Sequence, residues 1–491
     1  MHALRFDRAR VLRAMCFVLA TATMLVCAEA AAADAPAPAP NLVVVLVDDM
    51  RWDDYRSAGH PFIETPNIDR LAHEGARFTN AFATTPLCSP SRASLLTGQY
   101  AHTHGIVDNT LRPSHALPVF PLVLQRAGYR TGFFGKWHMG NDDAPRPGFD
   151  RWVGMAGQGE VIDPSFNIDG SRARHSGYVT DLLTDEVLRF IAESKAQPFL
   201  VYLAHKAVHP NIVQLNDGSM GTMTGQPAGF VPAARHRGRY AGKPMPRRPS
   251  AFVPPADKPA LARRIGNLPL LGRATATTDA EIEGRLEMLL AVDESLGRIL
   301  DALEKTGQLD RTVVIFTSDH GYFYGEHGLN EERRLAYEES IRVPLLVRYP
   351  PRVRAGSQPS QFALGIDLAP TALELAGLPP SPAMEGHSLV PLLEGRVVPW
   401  RSAFLVEYYS DTVFPRIVNM GYRAVRTDRY KLIRYTELNG MDELYDLQAD
   451  PYELHNLIGT AHAEPLYGEL DAELRELRPD IAAEGRADQH P

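Results

Sequence analysis

Cysteine is almost missing from this chain: 491 residues contain three. Cys16 and Cys27 fall in an N-terminal stretch, which leaves Cys88 alone in the body of the sequence. A disulfide scaffold is thereby excluded. Positive charge is also in short supply. Lys and Arg number 51 against 59 Asp and Glu, a net charge of −8, which offers no electrostatic footprint for nucleic acid. An anionic small substrate is not excluded, because local cations can dominate one pocket. Beyond the N-terminal stretch no apolar run reaches transmembrane length, and no internal repeat is evident. What is present is an apolar share of 44 %, enough for a substantial core in one large domain with a satellite or in two medium ones.

The first residues carry Arg5, Arg8, Arg10 and Arg13, then the apolar "AMCFVLATATMLVC" and the small-residue "AEAAAADA". A basic end, a short apolar segment and a cleavable small-residue region together read as a secretory signal peptide over 1–33. An uncleaved anchor and a lipid-modified Cys27 are the alternatives, although Val26 is bulky for the latter, and "APAPAP" reads as a mature N-terminal linker. The expectation is a periplasmic or secreted protein with no integral membrane span after cleavage. In an oxidising compartment a lone Cys88 is either a buried structural residue or reserved for chemistry.

"NLVVVLVDDM" is a β-branched run suited to a strand buried on both faces of a parallel sheet. Helical spacing follows in "TPNIDRLAHEGARF", then helix, turn and strand in "FPLVLQRAGYRTGFFGKWH". "DLLTDEVLRFIAESKAQPFLVYLAHKAVH" and "EIEGRLEMLLAVDESLGRILDALEKTGQLDRTVVIFTSDHG" repeat the helix–strand order, and "VPLLVRYP" and "IDLAPTALELAGL" continue the alternation. This predicts an α/β fold, a large mostly parallel sheet sandwiched by helices over 34–395. A Gly-, Pro- and Arg-rich insertion at about 210–280 reads as a lid or substrate-shaping segment. Short strand patterns from 396 to 475 ("SAFLVEYY", "YRAVRTDRYKLIRY", "DELYDL") predict a smaller C-terminal subdomain, an antiparallel sheet with a closing helix, before a tail at 476–491.

Three of the strands end in polar clusters. Asp48 and Asp49 follow the first, and Asp319 and His320 a late one. Three carboxylates at two strand mouths suit a divalent cation, since hard cations take oxygen ligands; turn capping is the plainer reading of either pair alone. The imidazole of His320 suits a transition metal better than calcium. In "GKWHMG", Lys136 and His138 are two apart and would share one face of a strand, an ammonium for gripping an oxyanion beside a proton carrier. A snorkelling lysine beside a satisfied histidine is the alternative. "YLAHKAVHP" adds His205, Lys206 and His209 at another strand end, with one histidine expected to be structural.

"NLVVVLVDDM", "CSPSRASLLTG", "GKWHMG", "AVHP", "TSDHGYFYGEHGL" and the C-terminal "ELYDLQADPYELHNL" occur in an order that resembles the type I sulfatases of the alkaline-phosphatase superfamily. The resemblance covers nearly the whole mature chain apart from the insertion, and C-x-P-S-R is its most specific element. It implies that Cys88 is converted to formylglycine by a formylglycine-generating enzyme. The hydrated aldehyde offers two hydroxyls, one to attack sulfur and one to expel sulfate afterwards, through a covalent intermediate. The resemblance also implies that Asp48, Asp49, Asp319 and His320, with residue 88, hold one divalent cation, Ca2+ by family expectation. Arg92 would hold the formylglycine hydroxyl, Lys136 would contact sulfate, His138 would be the base and His209 the acid for the leaving alcohol. Where the family places a lysine before "YEES", this chain offers Arg333 or Arg334, with spacing from Tyr337 favouring Arg333. Arginine clamps an anion but does not release its proton. The implied substrate is a sulfated carbohydrate or an aryl sulfate, with a likeness to glucosamine-6-sulfatases. A phosphate or phosphonate monoester hydrolase on the same fold, or an inactive protein that binds sulfated glycans, is the competing reading.

Overall fold

In the computed structural model, residues 39–479 are described, apart from 111–115, 195–196, 216, 218, 222–223 and 462. The expected signal peptide over 1–33 and most of the tail lie outside the described residues. Five strands form the parallel heart of a nine-stranded sheet, in the spatial order Thr312–Ser318, Asn41–Val47, Phe199–Ala204, Arg130–Lys136 and Arg151–Met155. Antiparallel strands close both edges: Leu345–Arg348 with Ala76–Arg77 on one side, Ser165–Ile168 with Ser171–Arg174 on the other. The "VPLLVRYP" segment is thus a strand, but an antiparallel one.

Alternation along the strands sorts the core into two layers, since successive side chains point to opposite faces. Val43, Val45, Val47, Val201 and Leu203 pack against helices Val179–Glu193 and Asp279–Lys305. Leu42, Val44, Leu46, Leu200 and Tyr202 pack on the other face against Leu95, Leu96, Phe120 and Leu373. Each fully buried aliphatic side chain contributes about 1.5–3 kcal/mol, so a strand apolar on both faces is fixed from both sides. The 27-residue helix Asp279–Lys305 opens with a capping box at Thr278 and Glu281, as its sequence indicates.

Register brings the functional residues to one level. Val47 pairs with Ser318, Leu46 with Ala204, and Ala204 with Gly135. The residues just beyond these pairs, Asp48, Asp319, His205 and Lys136, therefore emerge side by side at the carboxyl edge, where open α/β sheets bind ligands. Gly135 is required there: its φ is +116°, and a Cβ would stand 1.9 Å from the Ala204 carbonyl oxygen.

The small antiparallel sheet runs in the order Ala403–Tyr408, Tyr422–Thr427, Tyr430–Tyr435 and Glu443–Asp446. One face takes Leu470 and Leu474 of helix Ala463–Leu477; the other buries Phe404, Val406 and Tyr445 with Phe82, Tyr337 and Phe362 of the main fold. The insertion contains a two-residue hairpin pair, Val213–Gln214 and Met220–Gly221, and a short helix, Pro259–Ala262. Elsewhere it is irregular yet anchored: Tyr240 is buried, accepts from the Glu64 backbone and donates its N–H to Glu287. Among the described residues no helix is long and apolar enough to cross a membrane.

Candidate active site

Cys88 is the first residue of helix Cys88–Thr97, every residue of which is buried. Ten residues without an exposed face are unusual for a surface helix and mark this one as an internal strut. Three contacts aim it. The Ser89 N–H donates to Asn109 Oδ1, the Ser91 hydroxyl donates to the Asp319 carbonyl, and the Ser89 hydroxyl donates to the His138 carbonyl. Arg92, one turn on, donates from Nε to Asp319 Oδ2 at 2.9 Å and from Nη1 to the Lys136 carbonyl at 2.7 Å. Its Nη2 stands 3.1 Å from Asp48 Oδ1. Beside residue 88, the guanidinium joins the ends of three strands, a use its rigid fork of donors suits.

Around the Cys88 thiol the strand ends supply three carboxylates and several cations. Ligand atoms of Asp48, Asp49 and Asp319 lie within 4.8 Å of one another, as do those of Cys88, Asp319 and His320, and of Asp49, Cys88 and His209. All six residues are fully buried. Asp48 Oδ1 and both carboxylate oxygens of Asp49 make no hydrogen bond among the described residues. Cations stand near these oxygens, but buried carboxylate oxygens without an aligned hydrogen bond are costly, and an oxygen-rich set of this kind fits a divalent cation. His320 can complete the set. Its Nδ1 donates to the Gly321 carbonyl at 3.0 Å and its Nε2 faces Cys88 Sγ at 3.4 Å and Asp49 Oδ1 at 3.2 Å. Burial opposes charge on the ring, but Asp319 and Asp49 outweigh it and push the pKa up to about 9, so Nε2 would give up its proton on binding a cation. The donor set, three carboxylates and one imidazole, fits a divalent cation.

Lys136 is the last residue of its strand, and its Nζ reaches Asp48 Oδ2 at 2.5 Å. His138 lies beyond the strand in a left-handed conformation, φ +57°, rather than two residues along it. The two side chains do converge on Cys88, but through the turn and not through strand alternation. Burial would raise the thiol's pKa; the Lys136 charge, His320 and a hydrogen bond with His138 outweigh it and pull the pKa well below the ordinary range. Burial and the Lys136 charge hold His138 itself below the usual histidine value.

His209 and Arg333 meet. His209 Nδ1 donates to the Pro210 carbonyl at 2.9 Å, and its Nε2 accepts from Arg333 Nη2 at 2.9 Å. Burial, followed by the charges of Lys136, Lys206 and Arg333, pushes its pKa well down. The expected acid is therefore a neutral ring whose Nε2 already accepts a hydrogen bond. Arg333 also pairs with Asp49 through Nε at 2.9 Å, whereas Arg334 turns to Asp411 at 2.6 Å. Of the two arginines, Arg333 reaches the site. His205 joins none of the ligand groups, and burial pushes its pKa down to about 3. Lys206 donates to the Pro210 carbonyl, and burial with the nearby Lys136 charge pushes it down to about 7.

Several residues escaped the sequence reading. Arg285 Nη2 donates to the Asp49 carbonyl, and its guanidinium lies 3.8 Å from the Tyr322 ring centroid. It sits among Ile282, Leu286 and Leu289 on the buried face of its helix, and a charge on an apolar stripe was the available signal. Gln214, which contacts the site from the hairpin of the insertion, and Asn109, which does so from a loop, carry no such signal.

The model of the sulfatase family matches residues 40–378, and that of the N-sulphoglucosamine sulphohydrolase C-terminal region matches 325–480. An N-acetylglucosamine-6-O-sulfatase of Bacteroides thetaiotaomicron is 33 % identical over 488 residues, covering 89 % of this chain and 85 % of the relative. A solved structure of a protein in complex with its substrate D-glucosamine-2-N,6-O-disulfate superposes with a TM-score of 0.78 at 31 % identity, over 92 % of this chain and 99 % of the other. The phosphonate monoester hydrolase of Agrobacterium radiobacter shares the fold at 25 % identity and a TM-score of 0.67, over 89 % and 95 % of the two chains. With the family match spanning most of the sequence, the chain belongs to the sulfatases: it is a type I sulfatase of the alkaline-phosphatase superfamily, a sulfuric ester hydrolase.

Proposed function

We propose that this sulfatase removes sulfate from a carbohydrate, a 6-O-sulfated glucosamine unit being the favoured substrate, with formylglycine made from Cys88 and one divalent cation. The observation that carries the reading is the burial of Cys88 at a helix start, facing three carboxylates and ringed by Lys136, His138 and His320. The curated relative and the solved substrate complex concerned with glucosamine sulfates, each matched over about nine-tenths of this chain, support the substrate class.

Asp48, Asp49, Asp319 and His320, with residue 88, would hold the cation, which when bound acts as a Lewis acid toward a hydroxyl on residue 88 and the sulfate oxygens. Formylglycine at residue 88 would supply, as its hydrate, one hydroxyl as nucleophile toward sulfur and a second whose proton must be taken for sulfate to be released. The remaining work falls to this chain's own side chains. Lys136 has three donors, of which one serves Asp48; the others are available to a sulfate oxygen, where charge accumulates during transfer. His138 takes the proton of the second hydroxyl. Arg333 and His209 form the hydrogen-bonding face for the leaving oxygen. Because Arg333 keeps its proton, His209 is assigned the protonation of a poor leaving group; its neutral ring must first take up at Nε2 the proton given up by the attacking hydroxyl on residue 88, a position within 4.8 Å of it. Residues 1–33 are proposed to direct export to the periplasm or beyond.

The test is hydrolysis of a panel of defined sulfated mono- and disaccharides beside an aryl sulfate and the matching phosphate and phosphonate esters. Turnover of a 6-O-sulfated glucosamine above the others is expected; preference for a phosphonate or phosphate ester would favour the rival chemistry of the Agrobacterium relative. His209→Ala should lower kcat/KM by about 10²-fold or more on a sugar sulfate but less than about 10-fold on an aryl sulfate, whose good leaving group needs no proton. Equal losses on both would remove His209 from that role.

A further inference from the structure

Gln214 belongs to the hairpin of the insertion, yet its side chain lies inside, 8 % exposed, against His138. Its neighbours Val213 and Leu215 are exposed, as the alternation of a strand requires. The Gln214 amide makes three hydrogen bonds. Its Nε2 donates to the Asn109 carbonyl, while its Oε1 faces His138 Nε2 at 2.7 Å and accepts from Gln158 Nε2 at 3.2 Å. The backbone of the same residue accepts from Asn141 Nδ2 at 3.1 Å.

This arrangement has one consistent proton placement. The Asn109 carbonyl can only accept, so Gln214 presents its NH2 there and its oxygen to the histidine. An amide oxygen can only accept, so His138 Nε2 carries the hydrogen. In the neutral ring the lone pair is then on Nδ1, which is buried and makes no hydrogen bond among the described residues, with the Cys88 thiol within hydrogen-bonding reach of the ring. Asn109 also accepts from Ser89 N–H through Oδ1, so one amide chain ties the ring to the residue beside Cys88.

We propose that Gln214 is a positioning residue that fixes His138 as the Nε2–H tautomer and turns the basic Nδ1 toward residue 88. The inference rests on the reading of His138 as the base, and it gives the insertion a direct part in the reaction. An imidazole free to adopt either tautomer would offer the wrong nitrogen for part of the time, and second partners that set tautomer and orientation change rates by about 10- to 100-fold.

The experiment is 15N spectroscopy of the full-length protein labelled at its seventeen histidines, with the His138 signal assigned by its loss in His138→Gln. Wild type is expected to show protonated Nε2 and bare Nδ1. Gln214→Leu should lose that fixed pattern and lower kcat by about 10- to 100-fold with KM held within about threefold. Gln214→Glu, which keeps an acceptor beside Nε2, should retain the tautomer. An Nδ1–H or doubly protonated ring in wild type overturns the proposal without any variant having to fold. So does a folded Gln214→Leu with unchanged tautomer and kcat. These readouts are independent of the formylglycine reading: a Cys88→Ala variant that kept its activity would remove that reading and leave the tautomer assignment intact.

Discussion

Cys88→Ala should abolish turnover, lowering kcat on every sulfate ester by about 10⁴-fold or more, since removing a nucleophile removes the covalent route itself. Fold should be spared. The thiol is buried, but its loss leaves only a small gap, and the helix is held by Ser89, Ser91 and Arg92 rather than by residue 88. Thermal unfolding within a few degrees of wild type would separate lost chemistry from lost structure. Cys88→Ser sharpens the test, because serine has one hydroxyl and no second one to expel sulfate. Rapid-quench measurement should show alcohol released in about one equivalent per enzyme and then arrest, as expected of a trapped covalent intermediate. Intact-peptide mass spectrometry across Cys88 supplies the direct check: an active preparation with an unconverted thiol, or an active Cys88→Ala, would refute the nucleophile.

Removing a cation ligand ranks second. Asp49→Ala should strip the metal and lower kcat by about 10³-fold, the scale on which transition-state charge stabilisation is lost. Asp49 is the choice because both its oxygens lack a hydrogen bond, while Arg333 and His320 lie beside it at 2.9 and 3.2 Å. Without the carboxylate those cations lose their counter-charge in a buried site, and stability should fall by about 3–5 kcal/mol. Metal content after dialysis, a denaturant melt and activity recovered by adding calcium, magnesium or manganese to chelated wild type measure the three effects. Chelated wild type that keeps full activity would sink the metal assignment.

Much of this architecture could be read directly. A strand buried on both faces appears as an unbroken apolar run, and whatever polar residues follow it must stand at the carboxyl edge of the sheet. Asp48, Asp49, Asp319 and His320 were legible for that reason. Lys136 and His138 were legible as a pair, though strand alternation was the wrong cause: the strand stops at Lys136, and Gly135 and His138 take positive φ values. Arg92 was found by its motif, but its partners were not, because contacts with Asp319 and the Lys136 carbonyl span 227 and 44 residues of sequence. Gln214 was beyond reach altogether. A glutamine in an irregular insertion becomes informative only when packing sets it against an imidazole.

The enclosure of the Cys88–Thr97 helix also sets a chronology. No visiting catalyst can grasp a side chain walled in on every side, so under the proposed conversion of Cys88 its modifier would have to meet it while the polypeptide is still open. Chains that closed first would keep their original sulfur, and a single batch would then hold two populations of one sequence.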